Sequence, residues 1–151
     1  MATIEGAKKS RRQAINVPGL APAPLGTYSH AVKAGDFVFL AGQGARDAVS
    51  GQEVGITCDT EGNVTSYDIE AQTHAVIKNL ESVLAACQLT LKDLVDVNVF
   101  LADMSDFQAF NKIYAEYFSF DEPPVRTTIE AARLPGKNYI EIKAVAICNS
   151  A

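Results

Sequence analysis

The stretch YIEIKAVAI, residues 139–147, constrains the fold more than any other. Successive side chains of a strand point to opposite faces. Ile140, Ile142, Ala144 and Ala146 therefore share one side, and Tyr139, Glu141, Lys143 and Val145 share the other. That is a strand in a sheet whose one face is covered and whose other face is mixed. The neighbouring stretch VRTTIEAARLP, residues 125–135, also has strand composition, but Arg126 stands between Val125 and Thr127. Val125, Thr127, Ile129 and Ala131 would point one way, and Arg126, Thr128 and Glu130 the other. A guanidinium in a mostly apolar region needs an anionic partner.

The rest of the chain supplies the covering layer. Residues 66–88 predict a helix, with Ile69, Thr73, Val76, Leu80, Val83, Leu84 and Cys87 recurring at three- and four-residue steps. Ser66 fits its N-cap, with Asp68 and Glu70 in the first turn. Residues 106–118 predict a second helix, with Ser105 and Gln108 as a capping-box pair and Phe107, Phe110, Ile113, Tyr114 and Tyr117 as its apolar stripe. Between them LVDVNVFLA, residues 94–102, alternates Val95, Val97, Val99 and Leu101 against Asp96 and Asn98. YSHAVKAGDFVFLAGQ, residues 28–43, predicts a hairpin turning at Ala34–Asp36. Residues 44–65 suggest a long loop with a short strand near Val54–Thr57. The order β-β-(β)-α-β-α-β-β gives an α+β domain, with two helices packed on one face of a mixed sheet. Residues 1–27 include VPGLAPAPLG and are expected to be an arm lying across a surface, unable to hold regular structure for long. Residues 28–151 form a single domain.

Composition narrows the function. The 151 residues, 48% hydrophobic and 21% charged, suit one globular domain. The formal net charge of -5 and the absence of a Lys/Arg-dense face beyond KKSRR, residues 8–12, argue against nucleic acid as a partner. No segment reaches the length of a membrane span, and no signal peptide is recognisable. Cys58, Cys87 and Cys148 are odd in number and widely spaced, which suits reduced thiols in a cytoplasmic protein. A zinc deaminase signature, P-loop, dinucleotide fingerprint and nucleophile elbow are all missing, so no metal or organic cofactor is expected.

What remains is the set of polar residues in the last two strands. Arg126 and Glu141 lie on strands successive in sequence and could face a common cleft. Pattern alone leaves two alternatives. They form a structural ion pair or a solvated face, or Arg126 grips a carboxylate beside a proton-handling Glu141.

GTYSHAVKAGDFVFLAGQ, DFQAFNKIYAEYF and PPVRTTIEAARLPGKNYIEIKAVA carry a resemblance. In order and spacing, residues 20–148 resemble the RidA (YjgF-type) enamine/imine deaminase family. VGITCDTEGNVTSYDIEAQTHAVIKNL and IEIKAVA look most like its 2-aminomuconate deaminase branch. The resemblance implies a chorismate-mutase-like fold, a homotrimer or a hexamer of paired trimers, clefts between subunits and no cofactor. It implies a small dicarboxylate substrate from the degradation of 2-aminophenol, nitroaromatics or tryptophan. Carried over by motif, Arg126 would grip the substrate carboxylate and Glu141 would position water or move protons. Tyr28 and Gly42 would adjoin the ligand, with Tyr28 meeting Arg126 across a subunit boundary. Thr128 and His30 are expected to line the same pocket, although they depart from the family's usual Cys and Gln. The alternatives are a general 2-aminoacrylate-type imine deaminase, or a non-catalytic binder of small 2-oxo acids with chaperone-like behaviour.

Overall fold

A computed structural model describes residues 11–148. The first three residues of KKSRR and the last three of the expected domain lie outside the described residues. Eight strands and two helices follow in the order β1 (Arg12–Ile15), β2 (Ala31–Ala34), β3 (Phe37–Gln43), β4 (Ile56–Cys58), β5 (Val64–Tyr67), α1 (Ile69–Ala86), β6 (Leu94–Leu101), α2 (Phe107–Phe118), β7 (Val125–Glu130) and β8 (Ile140–Ile147). The main sheet has the order β1-β2-β3-β8-β6-β7, and β4 and β5 pair separately as a small hairpin. β6 and β7 run parallel, and all other neighbours run antiparallel. A parallel pair needs a crossover, which α2 supplies.

One face of the sheet is dry. Val38, Leu40, Val97, Val99, Leu101, Ile140, Ile142, Ala144 and Ala146 are all buried, together with the apolar side of α1. Each such Val, Leu or Ile contributes roughly 1.5–3 kcal/mol relative to exposure. The alternation of β8 is as its sequence reads. The opposite face carries no helix and exposes Phe37, Phe39, Val125 and Ile129.

Four local expectations are corrected. β1 lies within the segment read as an irregular arm and pairs with β2 along its length. It forms because Arg12–Ile15 precede the first proline, Pro18, so every backbone N–H in it can serve the sheet edge. Val64–Tyr67 is a strand, not the start of a helix. The N-cap of α1 is Asp68, whose carboxylate accepts from the Ala71 N–H at 3.0 Å. Asp59 folds the connecting turn by accepting from the N–H groups of Glu61 and Asn63. β6 carries a bulge at Val95, which flips Val95 to the exposed side and puts Leu94 in the core. The Ser105–Gln108 capping box does not form. Asp103 accepts from the Ser105 N–H in a preceding short turn, and α2 begins without a side-chain cap.

Among the described residues, no helix is long and apolar enough to cross a membrane.

Asp68→Ala should destabilise the protein by about 1 kcal/mol, and Ser66→Ala by no more than a few tenths. Chemical denaturation of both variants checks this, and equal losses would contradict the assignment of the cap.

Candidate active site

β7 presents its polar side inward. Val125 is 68% exposed and Ile129 48% exposed, whereas Arg126 and Thr128 are half-buried. Registry explains the inversion: Arg126 pairs with Val97 and Thr128 with Val99, so both point to the helix side. There the Arg126 guanidinium lies 4.6 Å from the ring centre of Tyr114 and 5.3 Å from that of Phe110. Its Nη2 donates to Asn111 Oδ1 at 2.9 Å. The aromatic faces of α2 hold the cation by its plane while leaving most of its fork uncommitted. The hydroxyls of Thr128 and Tyr114 are buried and have no hydrogen-bond partner among the described residues. Leaving such a group without a partner costs about 1–3 kcal/mol, and both hydroxyls lie on the same side of the sheet as the Arg126 guanidinium. Burial pushes the Tyr114 hydroxyl up to about 12 against the opposing Arg126 charge, so it remains a donor at neutral pH.

Glu141 lies elsewhere. It pairs with Phe100, on the face away from the helices, and β6 separates its strand from β7. The expectation that Arg126, Thr128 and Glu141 line one cleft therefore fails within a single chain. The pleat sends Arg126 and Glu141 to opposite faces. The alternative of an Arg126–Glu141 ion pair fails for the same reason.

Around Glu141 a second group assembles. A bulge in β3 sets three residue steps, Leu40 to Gln43, against two on β8 and brings Gly42 beside Glu141. A Cβ at Gly42 would sit 2.9 Å from the Glu141 carboxyl carbon, so a larger residue there would have to displace the carboxyl end of Glu141. Tyr28, Gly42, Arg46, Asn138 and Glu141 line a cavity of about 190 Å³, with Leu25 and Gly26 as its wall. A larger depression of about 730 Å³ shares Gly26, Tyr28 and Gly42 and reaches Lys143. Tyr28, 51% exposed, accepts from the Leu25 N–H at 3.1 Å and keeps its own O–H free to donate. Burial raises the pKa of the Glu141 carboxyl from its ordinary value.

His30 does not line either cavity. It is 4% exposed. Its Nδ1 accepts from the Val17 N–H at 3.3 Å, which leaves Nε2 to donate to the Pro22 carbonyl at 3.0 Å. His30 thus pins the proline-rich segment that forms the cavity wall. Its role is structural, and the site expectation for it is corrected.

Several residues here are not apparent from the sequence. Arg46 sits in a stretch that reads only as loop. Asn138 takes the Ala45 N–H on Oδ1 at 2.6 Å and packs so tightly on Gly44 that a Cβ there would clash. Two buried amides of α1 clamp the loops. Gln72 donates to the Val54 and Lys137 carbonyls and accepts from the Tyr139 N–H. Asn79 donates to the Gly44 and Arg46 carbonyls. A signal existed: Gln72 and Asn79 lie seven apart on the apolar side of the helix, where a polar residue needs a reason. Among the described residues, no group of three or more His, Cys, Asp or Glu side chains is placed to hold a metal ion.

Comparison with known proteins agrees with this architecture. The family model described as Endoribonuclease L-PSP matches residues 19–148. A RutC family protein of Pyrococcus horikoshii is 40% identical over 126 residues, covering 83% of this chain and 90% of its own. The chloroplastic Reactive Intermediate Deaminase A of Arabidopsis thaliana is 38% identical over 126 residues, 83% of this chain and 61% of its own. The crystal structure of RidA from an Antarctic Psychrobacter superposes with a TM-score of 0.77 at 30% identity, covering 89% of this chain and 98% of that one.

Glu141→Gln tests the environment of the carboxyl. A carboxyl whose pKa is raised on folding contributes stability that is full below its unfolded pKa and is lost as pH rises through the folded value. The variant should therefore unfold at a temperature equal to or above that of the wild type at pH 7. The difference should vanish once the pH falls below the ordinary carboxylate range. A variant less stable than the wild type at pH 7, measured by thermal unfolding across that range, would contradict the burial of Glu141.

Proposed function

The chain belongs to the Endoribonuclease L-PSP (RidA) family, and from that premise we propose that it is a hydrolytic deaminase of small acidic enamines and imines. The observation that carries this is the pair of half-sites. A guanidinium with two unpartnered hydroxyls on the same side of the sheet occupies one face, and a half-buried carboxyl whose pKa burial raises, beside Gly42, occupies the other. We propose that they meet between copies in a homotrimer, singly or paired into a hexamer. Arg126 and Thr128 of one copy then close on Tyr28, Gly42 and Glu141 of the next. The helix-free face, with Phe37, Phe39, Val125 and Ile129 exposed, supports such an assembly.

In the mechanism, Arg126 holds the carboxylate next to the reacting carbon by a two-point fork. The enamine tautomerises, gaining a proton on carbon while losing one from nitrogen to water, and becomes an imine. Glu141, whose pKa burial raises, takes a proton from water as that water adds to the imine carbon. It then returns the proton to nitrogen, giving a carbinolamine, and as the C–N bond breaks the hydroxyl proton passes to nitrogen, so that ammonia leaves and the carbonyl forms. Tyr28 and Thr128 donate hydrogen bonds to substrate or water. The favoured substrate is 2-aminomuconate, giving 4-oxalocrotonate and ammonia in aromatic degradation, and the cell compartment we propose is the cytoplasm. The likeness to the Reactive Intermediate Deaminase A of Arabidopsis supports deaminase chemistry in general. A general 2-aminoacrylate-type deaminase is the second reading, favoured by the same half-sites. A pure binder needs the cation of Arg126 but not a proton-handling Glu141. RNA cleavage, which the family description names, fits poorly with a net charge of -5 and a cavity of about 190 Å³.

Ammonia release from 2-aminomuconate and from 2-aminoacrylate separates the readings. The protein should turn over the dicarboxylate faster. Preference for 2-aminoacrylate would favour the general enzyme, and no release from either would sink the proposal. Arg126→Lys, which cannot form the fork, should lose most turnover with the fold intact. Glu141→Gln should lower kcat by ~100- to ~10,000-fold with a smaller change in KM.

A further inference from the structure

Arg46 has no place in the chemistry described so far, yet it lines the small cavity with Glu141, Tyr28 and Gly42. Its backbone is fixed from two sides. The carbonyl accepts from Asn79 Nδ2 at 2.9 Å, and Arg46 forms an isolated bridge with Glu53. The side chain is anchored once, with Nη2 donating to the Ala23 carbonyl at 2.6 Å. A guanidinium has five N–H donors in a planar fork, so four remain. Among the described residues no carboxylate, Glu141 included, forms an ion pair with Arg46. A half-buried cation with unused donors, aimed from a braced loop into the cavity that holds the proton-handling carboxylate, is built to receive an anion.

We propose that Arg46 is a specificity-determining residue that binds the second carboxylate of the substrate and so selects dicarboxylates over monocarboxylates. This rests on the functional reading above, in which Arg126 of the adjoining copy takes the carboxylate beside the reacting carbon. Arg46 then takes the far one. It acts on the unreactive end of the substrate, so its effect lies in binding and not in proton transfer. A monocarboxylate makes no use of it.

The test uses ligand binding, so that it stands apart from turnover. Adipate, a saturated six-carbon dicarboxylate, and hexanoate, its monocarboxylate counterpart, are titrated into wild type, Arg46→Leu and Arg46→Lys by calorimetry. Wild type should bind adipate about tenfold to a hundredfold more tightly than hexanoate. Arg46→Leu should erase that preference and leave hexanoate affinity where it was. Arg46→Lys, a point charge without the fork, should keep part of it. Arg46→Leu that weakens both acids together would make Arg46 a prop for the wall at Ala23 and overturn the proposal. So would an unchanged preference in Arg46→Leu, or no preference in wild type. Should wild type show the preference and Arg46→Leu lose it while 2-aminomuconate is not deaminated, the dicarboxylate site stands and the catalytic reading falls.

Discussion

Val97 sits in one row of the sheet between Arg126 of β7 and Ala144 of β8, so these three side chains share a face. Glu141, three residues from Ala144, must then point the other way. No rotamer change can bring the Arg126 guanidinium and the Glu141 carboxylate to the same side of a six-stranded sheet. The division of chemistry between two faces follows from this parity. The two halves differ in chemistry: one has a cation and unpartnered hydroxyls, the other a half-buried carboxyl whose pKa burial raises. A second copy of the chain is the simplest partner able to supply to each half what it lacks.

The Glu141 half depends on buried amides rather than on charge pairs. Gln72 and Asn79 reach out of α1 to hold four loop carbonyls, and Asn138 holds the turn before the β3–β4 loop. His30 ties the proline-rich segment to the sheet, and Tyr28 and Arg46 each fasten one more point of it. Buried polar groups are tolerated only when satisfied, and here their satisfaction shapes the cavity. The segment most resistant to regular structure, with Pro18, Pro22 and Pro24, becomes a fixed wall because side chains replace the backbone bonds its prolines cannot make.

Much of this was legible in the residues. Periodicity placed both helices, alternation placed β8, and the Ala34–Asp36 turn placed the β2–β3 hairpin. The inward side of β7 was also legible once Arg126 and Thr128 were seen to share a face. What escaped depends on contacts distant in sequence. β1 exists because β2 offers an edge. Leu94 and Val95 exchange sides because of a bulge, and a bulge has no local marker here. Asp68 displaces Ser66 as cap because Val64–Tyr67 is drawn into pairing with Ile56–Cys58. The family resemblance places His30 in the pocket, at the position of the family's usual Gln. Alternation alone would have set it on the opposite side from Ser29, but not shown that Val17 and Pro22 would close over it. Arg46 gave no signal, because a loop arginine is ordinarily solvated.

The central claim is that one working site draws Arg126 and Glu141 from different copies, and subunit mixing tests it directly. Arg126→Lys and Glu141→Gln proteins, each nearly inactive alone, are unfolded together in equal amounts, refolded, and assayed for ammonia release. If each cleft joins one copy's Arg126 to the next copy's Glu141, random assembly restores both native residues to about a quarter of the clefts, and activity returns to about that fraction of wild type. If both residues serve from one chain, no cleft regains the pair and the mixture stays as inactive as its components, which contradicts the account.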